Sequence, residues 1–224
     1  MSVAFEKQDG QDCADYSKEA NLRVLACSRV LADTRISTKV RALAHIKRGE
    51  AYIMKADRER ALPEYEESIK LDPTNWEGYN GRGTLLFKLN QVDRAFADYN
   101  KATELNPKHT WPWINRCEGL TILSRFEEAA DQCNKLIQLL AEQGFKWSGL
   151  SARGVLHLKW KKLDLAIADF DESLRRDPKD AVSLYGRGLA KQKKGDNSGA
   201  TTDMNAAVTL NPTIAEYFER YKIQ

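Results

Sequence analysis

Histidine is scarce in this chain, with three in 224 residues. That limits metal ligation and acid–base chemistry at the outset. Six prolines and 13 glycines are too few for a collagen-like or linker-rich chain. No run approaches the roughly 18 apolar residues that a bilayer span needs, so no membrane insertion is expected. An excess of one charge is missing as well. Thirty-five basic residues face 32 acidic ones, a net +3. That balance argues against a nucleic-acid or membrane-surface protein, which concentrates positive charge. The motifs HExxH, GxSxG and GxGxxG and the phosphate loop are all absent. CxxC is absent too, so no metal site is expected, and nothing calls for a cofactor. The opening MSVAFEKQDGQDC lacks the apolar run of a signal peptide. The expectation is a chain without an uncleaved signal, which leaves open a mature form whose signal has been removed.

What is present is enough apolar material for a core, 42% of residues, with 30% charged. The length allows one domain or two small ones. An internal repeat organises it. Asp-Pro and Asn-Pro pairs place prolines at Pro73, Pro107, Pro178 and Pro212, at intervals of 34, 71 and 34. The long interval holds one 34-residue unit and one of 37 that lacks its proline. Gly49, Gly83, Cys117, Gly154 and Gly188 keep the same register. So do Ala61, Ala95, Ala129, Ala166 and Ala200, and so do Tyr65, Tyr99, Cys133, Phe170 and Met204. Each unit reads as two amphipathic helices with apolar residues at three- and four-residue steps. Small residues on both helices let the backbones approach, and the large residue of the third row fills the space beside them. The residue before proline avoids the α region and ends the second helix. One hairpin cannot bury its apolar face alone, so neighbours stack.

These rows resemble tetratricopeptide repeats. The resemblance implies an all-α, right-handed solenoid of about five hairpins, at 42–75, 76–109, 110–146, 147–180 and 181–214. Residues 1–41 read as a degenerate N-terminal capping hairpin, in which CSRVLAD at 27–33 resembles a second helix. The closing IAEYFERYKIQ has helical spacing and reads as a solvating cap over 215–224. An arginine row, Arg48, Arg82, Arg116, Arg153 and Arg187, precedes Glu64, Asp98, Gln132, Asp169 and Asp203 by sixteen residues each. Four of these five are acidic, so an ion-pair ladder across each hairpin is expected rather than a positive binding strip.

Four cysteines fall into two pairs, Cys13 with Cys27 and Cys117 with Cys133. Cys117 stands in the glycine row and Cys133 in the aromatic row of one unit, and Cys27 also replaces an aromatic. Small buried free thiols are the bland reading. Two facing pairs favour disulfides. Disulfides persist in oxidising compartments, so a periplasmic or secreted location is expected, with the cytoplasm as the alternative. The ending SLYGRGLAKQKKGD…EYFERYK and the cysteine pairs are similar to those of bacterial cell-envelope members of the family, which points the same way.

His45, His109 and His157 lie on different units, and adjacent acids such as Glu66-Glu67 and Glu127-Glu128 point apart on a helix. No catalytic residue is assigned and no enzyme is expected. The resemblance implies a concave groove lined by first helices. Its residues here are Asn80, Thr84 and Phe87, then Trp111, Ile114, Glu118 and Thr121, then Ser151, Val155 and Leu158, then Tyr185, Leu189 and Gln192. That mixed aromatic, apolar and hydroxyl face suits an extended peptide or a helix. The rival reading is that several of these residues pack only against the next unit. Thr110 can cap the helix and Pro112 can sit in its first turn. Trp113 joins a packing row with His45, Tyr79, Leu150 and Leu184, whereas Trp111 has no packing duty and is the leading partner contact. The lysine, arginine and asparagine clamp by which some members hold acidic chaperone tails is replaced here by Ile46, Glu50 and Gly81. The expected function is a scaffold binding a protein or peptide in the groove, with partner and oligomeric state open. The alternative is an assembly factor docking by its outer faces or ends in an envelope complex, and an enzyme is the distant third.

Overall fold

The computed structural model describes residues 2–144 and 149–223, with side chains from residue 8 onward. The expected boundary between units at 146/147 and residue 224 of the expected cap lie outside the described residues. Within them are thirteen α-helices and no strand. The chain divides into two compact units, Met1–Pro107 and Lys108–Gln224. The first holds α1 (Ser2–Ala14), α2 (Ala20–Ala32), α3 (Thr38–Met54), α4 (Arg58–Leu71), α5 (Trp76–Lys88) and α6 (Val92–Leu105). The second holds α7 (Thr110–Ile122), α8 (Phe126–Glu142), α9 (Leu150–Lys159), α10 (Leu163–Arg176), α11 (Ala181–Lys193), α12 (Asn197–Leu210) and α13 (Ile214–Glu219). Consecutive helices pair as hairpins, α1 with α2 through α11 with α12, and within each unit one hairpin stacks on the next. This is the all-α solenoid architecture that the sequence rows imply.

The stop signals act as expected. Asp72, Asn106, Asp177 and Asn211, each followed by proline, cap α4, α6, α10 and α12 in extended conformations. The turn inside each hairpin from α3–α4 onward has its own device. Ala56, Asn90, Ser124 and Lys161 take φ near +60°, and Gly195 takes +90°. Each is a left-handed residue closing a first helix. The amide three places past the helix end reaches back five residues, as from Gln91 to the Leu86 carbonyl (2.9 Å) and from Lys162 to that of His157 (2.9 Å). Only the last of the five is glycine, so four of these turns accept the steric cost of a Cβ.

Close approach explains the glycine row. A Cβ on Gly154 would lie 2.5 Å from the Phe170 ring, and one on Gly83 would lie 2.9 Å from that of Tyr99. The ring of the second helix occupies the notch that glycine leaves. In α7–α8 the notch is spanned by sulfur instead, through a Cys117–Cys133 disulfide with Cα atoms 5.0 Å apart. A second disulfide, Cys13–Cys27, ties α1 to α2. All four cysteines are therefore paired.

The ion-pair ladder is present in four hairpins. Arg48 bonds Glu64 at 2.8 Å, Arg82 bonds Asp98 through two contacts of 2.8 Å, and Arg153–Asp169 and Arg187–Asp203 both reach 2.6 Å. The acids are buried and carry further partners: His45 on Glu64, His157 on Asp169 and Lys191 on Asp203. Burial by itself would raise these carboxyls. The bonds from His45 and Arg48, from His157 and Arg153, and from Arg187 and Lys191 outweigh it and hold all three below the usual carboxylate range.

Candidate interaction site

The first helix of each hairpin carries the expected groove residues, and the structure distributes them unequally. In the first unit Asn80 and Thr84 are half-buried one turn apart on α5, with the Thr84 hydroxyl donating to the Asn80 carbonyl at 2.9 Å. Phe87 is half-buried and meets Phe96 of α6 edge-on, with ring centroids 6.3 Å apart. It leans on its own hairpin, beside Leu86, Ala95 and Tyr99.

In the second unit Trp111 stands out at 58% exposed, and Ile114 and Ser151 are half-buried. The cap of α7 is His109 rather than Thr110. His109 is the last residue with extended backbone, and its Nδ1 accepts from the Trp111 amide at 3.4 Å. Pro112 lies in the first turn, buried. Trp113 is half-buried below the Arg116 guanidinium, 5.2 Å from the ring centre. Thr121 is enclosed, with its hydroxyl bonded to the Cys117 carbonyl at 2.8 Å. Val155 and Leu158 are each only 1% exposed. They belong to one hydrophobic cluster with Tyr185, Leu189, Ile214, Phe218 and Tyr221. Gln192 is exposed at the end of that face.

What encloses this stretch is the segment 214–223. Ile214, Phe218 and Tyr221 are all buried, and the Phe218 ring lies 5.1 Å from that of Tyr185. Glu118 on α7 receives Tyr217 Oη at 3.0 Å and Arg220 Nη2 at 3.1 Å. Arg220 stacks over the Tyr217 ring at 3.9 Å and donates to Tyr221 Oη at 3.0 Å. The two phenols sit 3.1 Å apart. Burial, aided by the Glu118 charge, pushes the Tyr217 phenol up to about 12, and burial raises that of Tyr221 as well. Both are neutral donors at ordinary pH.

A similar constellation occurs in the first unit. Glu50 of α3 accepts from Tyr16 Oη at 2.6 Å and lies 3.5 Å from the fully buried Arg23 guanidinium. Arg23 packs over the Tyr16 ring at 4.3 Å and also bonds the Cys13 carbonyl. Lys47 completes the cluster, with Nζ 3.3 Å from Glu50 and 3.1 Å from Glu77. Burial disfavours its charge, but the two glutamates override that and raise its pKa. Glu50 and Glu118 each directly follow the glycine-row residue of a hairpin, Gly49 and Cys117, and so share one register with Thr84, Val155 and Leu189. The residues missed in the sequence are Tyr16, Arg23, Tyr217 and Arg220. The recurrence of glutamate in that register was the available signal. Among the described residues no group of three or more His, Cys, Asp or Glu could hold a metal, and no helix is long and apolar enough to cross a membrane.

Models of the tetratricopeptide repeat match residues 42–75, 76–109 and 150–180. The chain is a tetratricopeptide-repeat protein. It is similar to Hsp70-Hsp90 organizing protein 3 of Arabidopsis thaliana, 27% identical over 167 residues that cover 75% of this chain and 29% of that protein. It is also similar to mitochondrial import receptor subunit TOM70 of Homo sapiens, 21% identical over 237 residues, covering 87% of this chain and 38% of that one. The chain thus spans about a third of the length of these curated relatives. Among solved structures it is similar to a tetratricopeptide repeat protein from Parabacteroides merdae, with a TM-score of 0.69 at 16% identity, covering 97% of this chain and 90% of that one. That likeness concerns the fold. Repeats of this kind are protein–protein interaction scaffolds, and that is the class of function to which this tetratricopeptide-repeat chain belongs.

Proposed function

We propose that this repeat protein holds an extended peptide or a helix of another protein against the faces lined by its first helices. The division into five units, 42–75, 76–109, 110–146, 147–180 and 181–214, flanked by segments 1–41 and 215–224, is part of the same reading. The observation that carries it is Trp111. A tryptophan 58% exposed at the start of a first helix offers a large, rigid apolar surface to a partner. Ile114 on the same helix, and Asn80, Thr84 and Phe87 on α5, offer half-buried apolar and hydrogen-bonding contacts of the kind a bound segment uses. Ile46, Glu50 and Gly81 stand where a chaperone-tail clamp would need cations and an amide, so the partner implied by the name of the Arabidopsis relative is not transferred.

The test is cross-linking in native cells followed by mass spectrometry, with Trp111→Ala and Phe87→Ala as separate variants. Trp111→Ala removes an exposed side chain and leaves the fold intact. Loss of a captured protein in that variant supports the reading, and unchanged capture in both variants overturns it. A second reading, docking by outer faces or ends in an assembly, is favoured by one observation: segment 214–223 already covers Val155, Leu158 and Tyr185.

We further infer an oxidising compartment, periplasmic or extracellular, from the two buried disulfides. Thiol titration of denatured, unreduced protein taken from its native source should find none free. Four free thiols would place it in the cytoplasm.

A further inference from the structure

Segment 214–223 meets the second unit in the way a bound peptide meets a receptor. Its contacts combine an apolar floor with one charged anchor. Phe218 and Tyr221 supply aromatic surface to the cluster of Val155, Leu158, Tyr185 and Leu189. Tyr217 and Arg220 converge on Glu118, about a hundred residues away along the chain. Glu118 lies one residue past the glycine row and outside the arginine–acid register of its own hairpin. It serves the segment and not the repeat. The helix itself is short, only Ile214–Glu219, and carries little internal stability, so its position depends on these contacts.

We propose that the face formed by α7, α9 and α11 is a binding surface for a short partner segment presenting two or three aromatics and one arginine or lysine, and that residues 214–223 are its resident, displaceable occupant. The charge complementarity with Glu118 and the aromatic floor define that partner. The inference rests on the groove reading above and adds the class of ligand and the way access is controlled. A partner must out-compete a tethered segment, so its apparent affinity is lowered by the fraction of time the face is covered.

The probe is a fluorescein-labelled peptide of residues 213–223, TIAEYFERYKI, with a control in which both tyrosines and the phenylalanine are alanine. Binding is measured by fluorescence polarisation to the full chain and to its Tyr217→Ala/Arg220→Ala variant, which weakens the resident without deleting it. The expected result is binding to the variant at least about tenfold tighter than to the unchanged chain, none by the control peptide, and loss on adding Glu118→Ala. No binding to the variant overturns the proposal, and so does equal binding to both proteins, which would put the site elsewhere. Hydrogen exchange guards against a variant that fails to fold. Amides of 214–223 in the unchanged chain should exchange well before those of α9 and α11, and exchange only with global unfolding would show a fixed part of the core. A dimer that trades the segment between copies would also overturn the assignment to an outside partner. If capture depends on Trp111 while the peptide fails to bind, the groove reading stands and this inference falls.

Discussion

The hairpin α7–α8 is where the repeat departs most from its own rule, and its stability can be worked out. In α3–α4, α5–α6 and α9–α10 a ring packs into a glycine notch, in α11–α12 Met204 does so, and in all four an arginine bonds a buried acid across the pair. Here Cys117–Cys133 replaces the notch, and Gln132 stands opposite the arginine row. The disulfide joins positions 16 residues apart. Closing a loop of that size in the unfolded chain is worth about 3 kcal/mol at 25 °C. Both cysteines are fully buried, so replacing them with alanine adds no unpaired polar group. The double variant Cys117→Ala/Cys133→Ala should therefore lose about 3 kcal/mol, read as a lower urea midpoint and faster amide exchange in α7 and α8. Cys117→Gly/Cys133→Tyr rebuilds the pair seen at Gly83 and Tyr99. It should recover about 1.5–3 kcal/mol through burial of the ring. A loss below about 1 kcal/mol in the alanine variant, well under the loop-closure value, would refute the reasoning. So would a glycine–tyrosine variant no more stable than the alanine one, because the sulfur bridge and the ring would then not be alternatives for the same space.

Three further outcomes follow from named residues. Arg82→Met should strand the buried Asp98 carboxylate, which that guanidinium bonds twice, and lower stability by about 1–3 kcal/mol; denaturant titration at low and high salt checks it. Glu64, Asp169 and Asp203 are held below the ordinary carboxylate range in the folded chain, so each contributes stability that is present above the unfolded-state value and lost as pH falls through the folded one. Unfolding midpoints should therefore drop on acidification below about pH 4.5, and Asp169→Asn should be weaker at neutral pH but less sensitive to acid. Lys161→Gly should stabilise by about 1 kcal/mol, because φ of +61° strains any residue with a Cβ; a fall in melting temperature would contradict it.

The hairpin interior was legible because packing two helices closely forces small and large residues to fixed places, and a fixed period makes them visible in one sequence. Gly83 against Tyr99 and Arg82 against Asp98 are both consequences of that register. What escaped has a different physical origin. The left-handed turn row, Ala56, Asn90, Ser124, Lys161 and Gly195, keeps the same period but has only one glycine, so composition does not mark it. His45 and His157 join the ladder acids from a neighbouring turn of the same helix as the arginine, a spacing that an arginine–acid row does not contain. The contact of Glu118 with Tyr217 and Arg220 joins a first helix to the closing segment across about a hundred residues, a pairing that none of the rows contains. Helical spacing in IAEYFERYK correctly indicated a helix but not which surface its apolar side would meet.

The register that follows the glycine row shows how this scaffold separates folding from recognition. Places inside the hairpin are fixed by close approach and charge pairing, and changing them costs stability. The next residue along points away from that interior and varies freely: Glu50, Thr84, Glu118, Val155 and Leu189. Its identity follows what covers it. Where the neighbour is an apolar segment the residue is Val155 or Leu189. Where a tyrosine and an arginine from outside the hairpin approach it is glutamate, twice and with comparable geometry. A half-buried carboxylate without such partners would be costly, because the desolvation of its charge would go uncompensated. The two glutamates therefore mark places where the repeat surface is shaped for a phenol and a guanidinium. Thr84, in the same register on α5, carries no charge that demands such a partner.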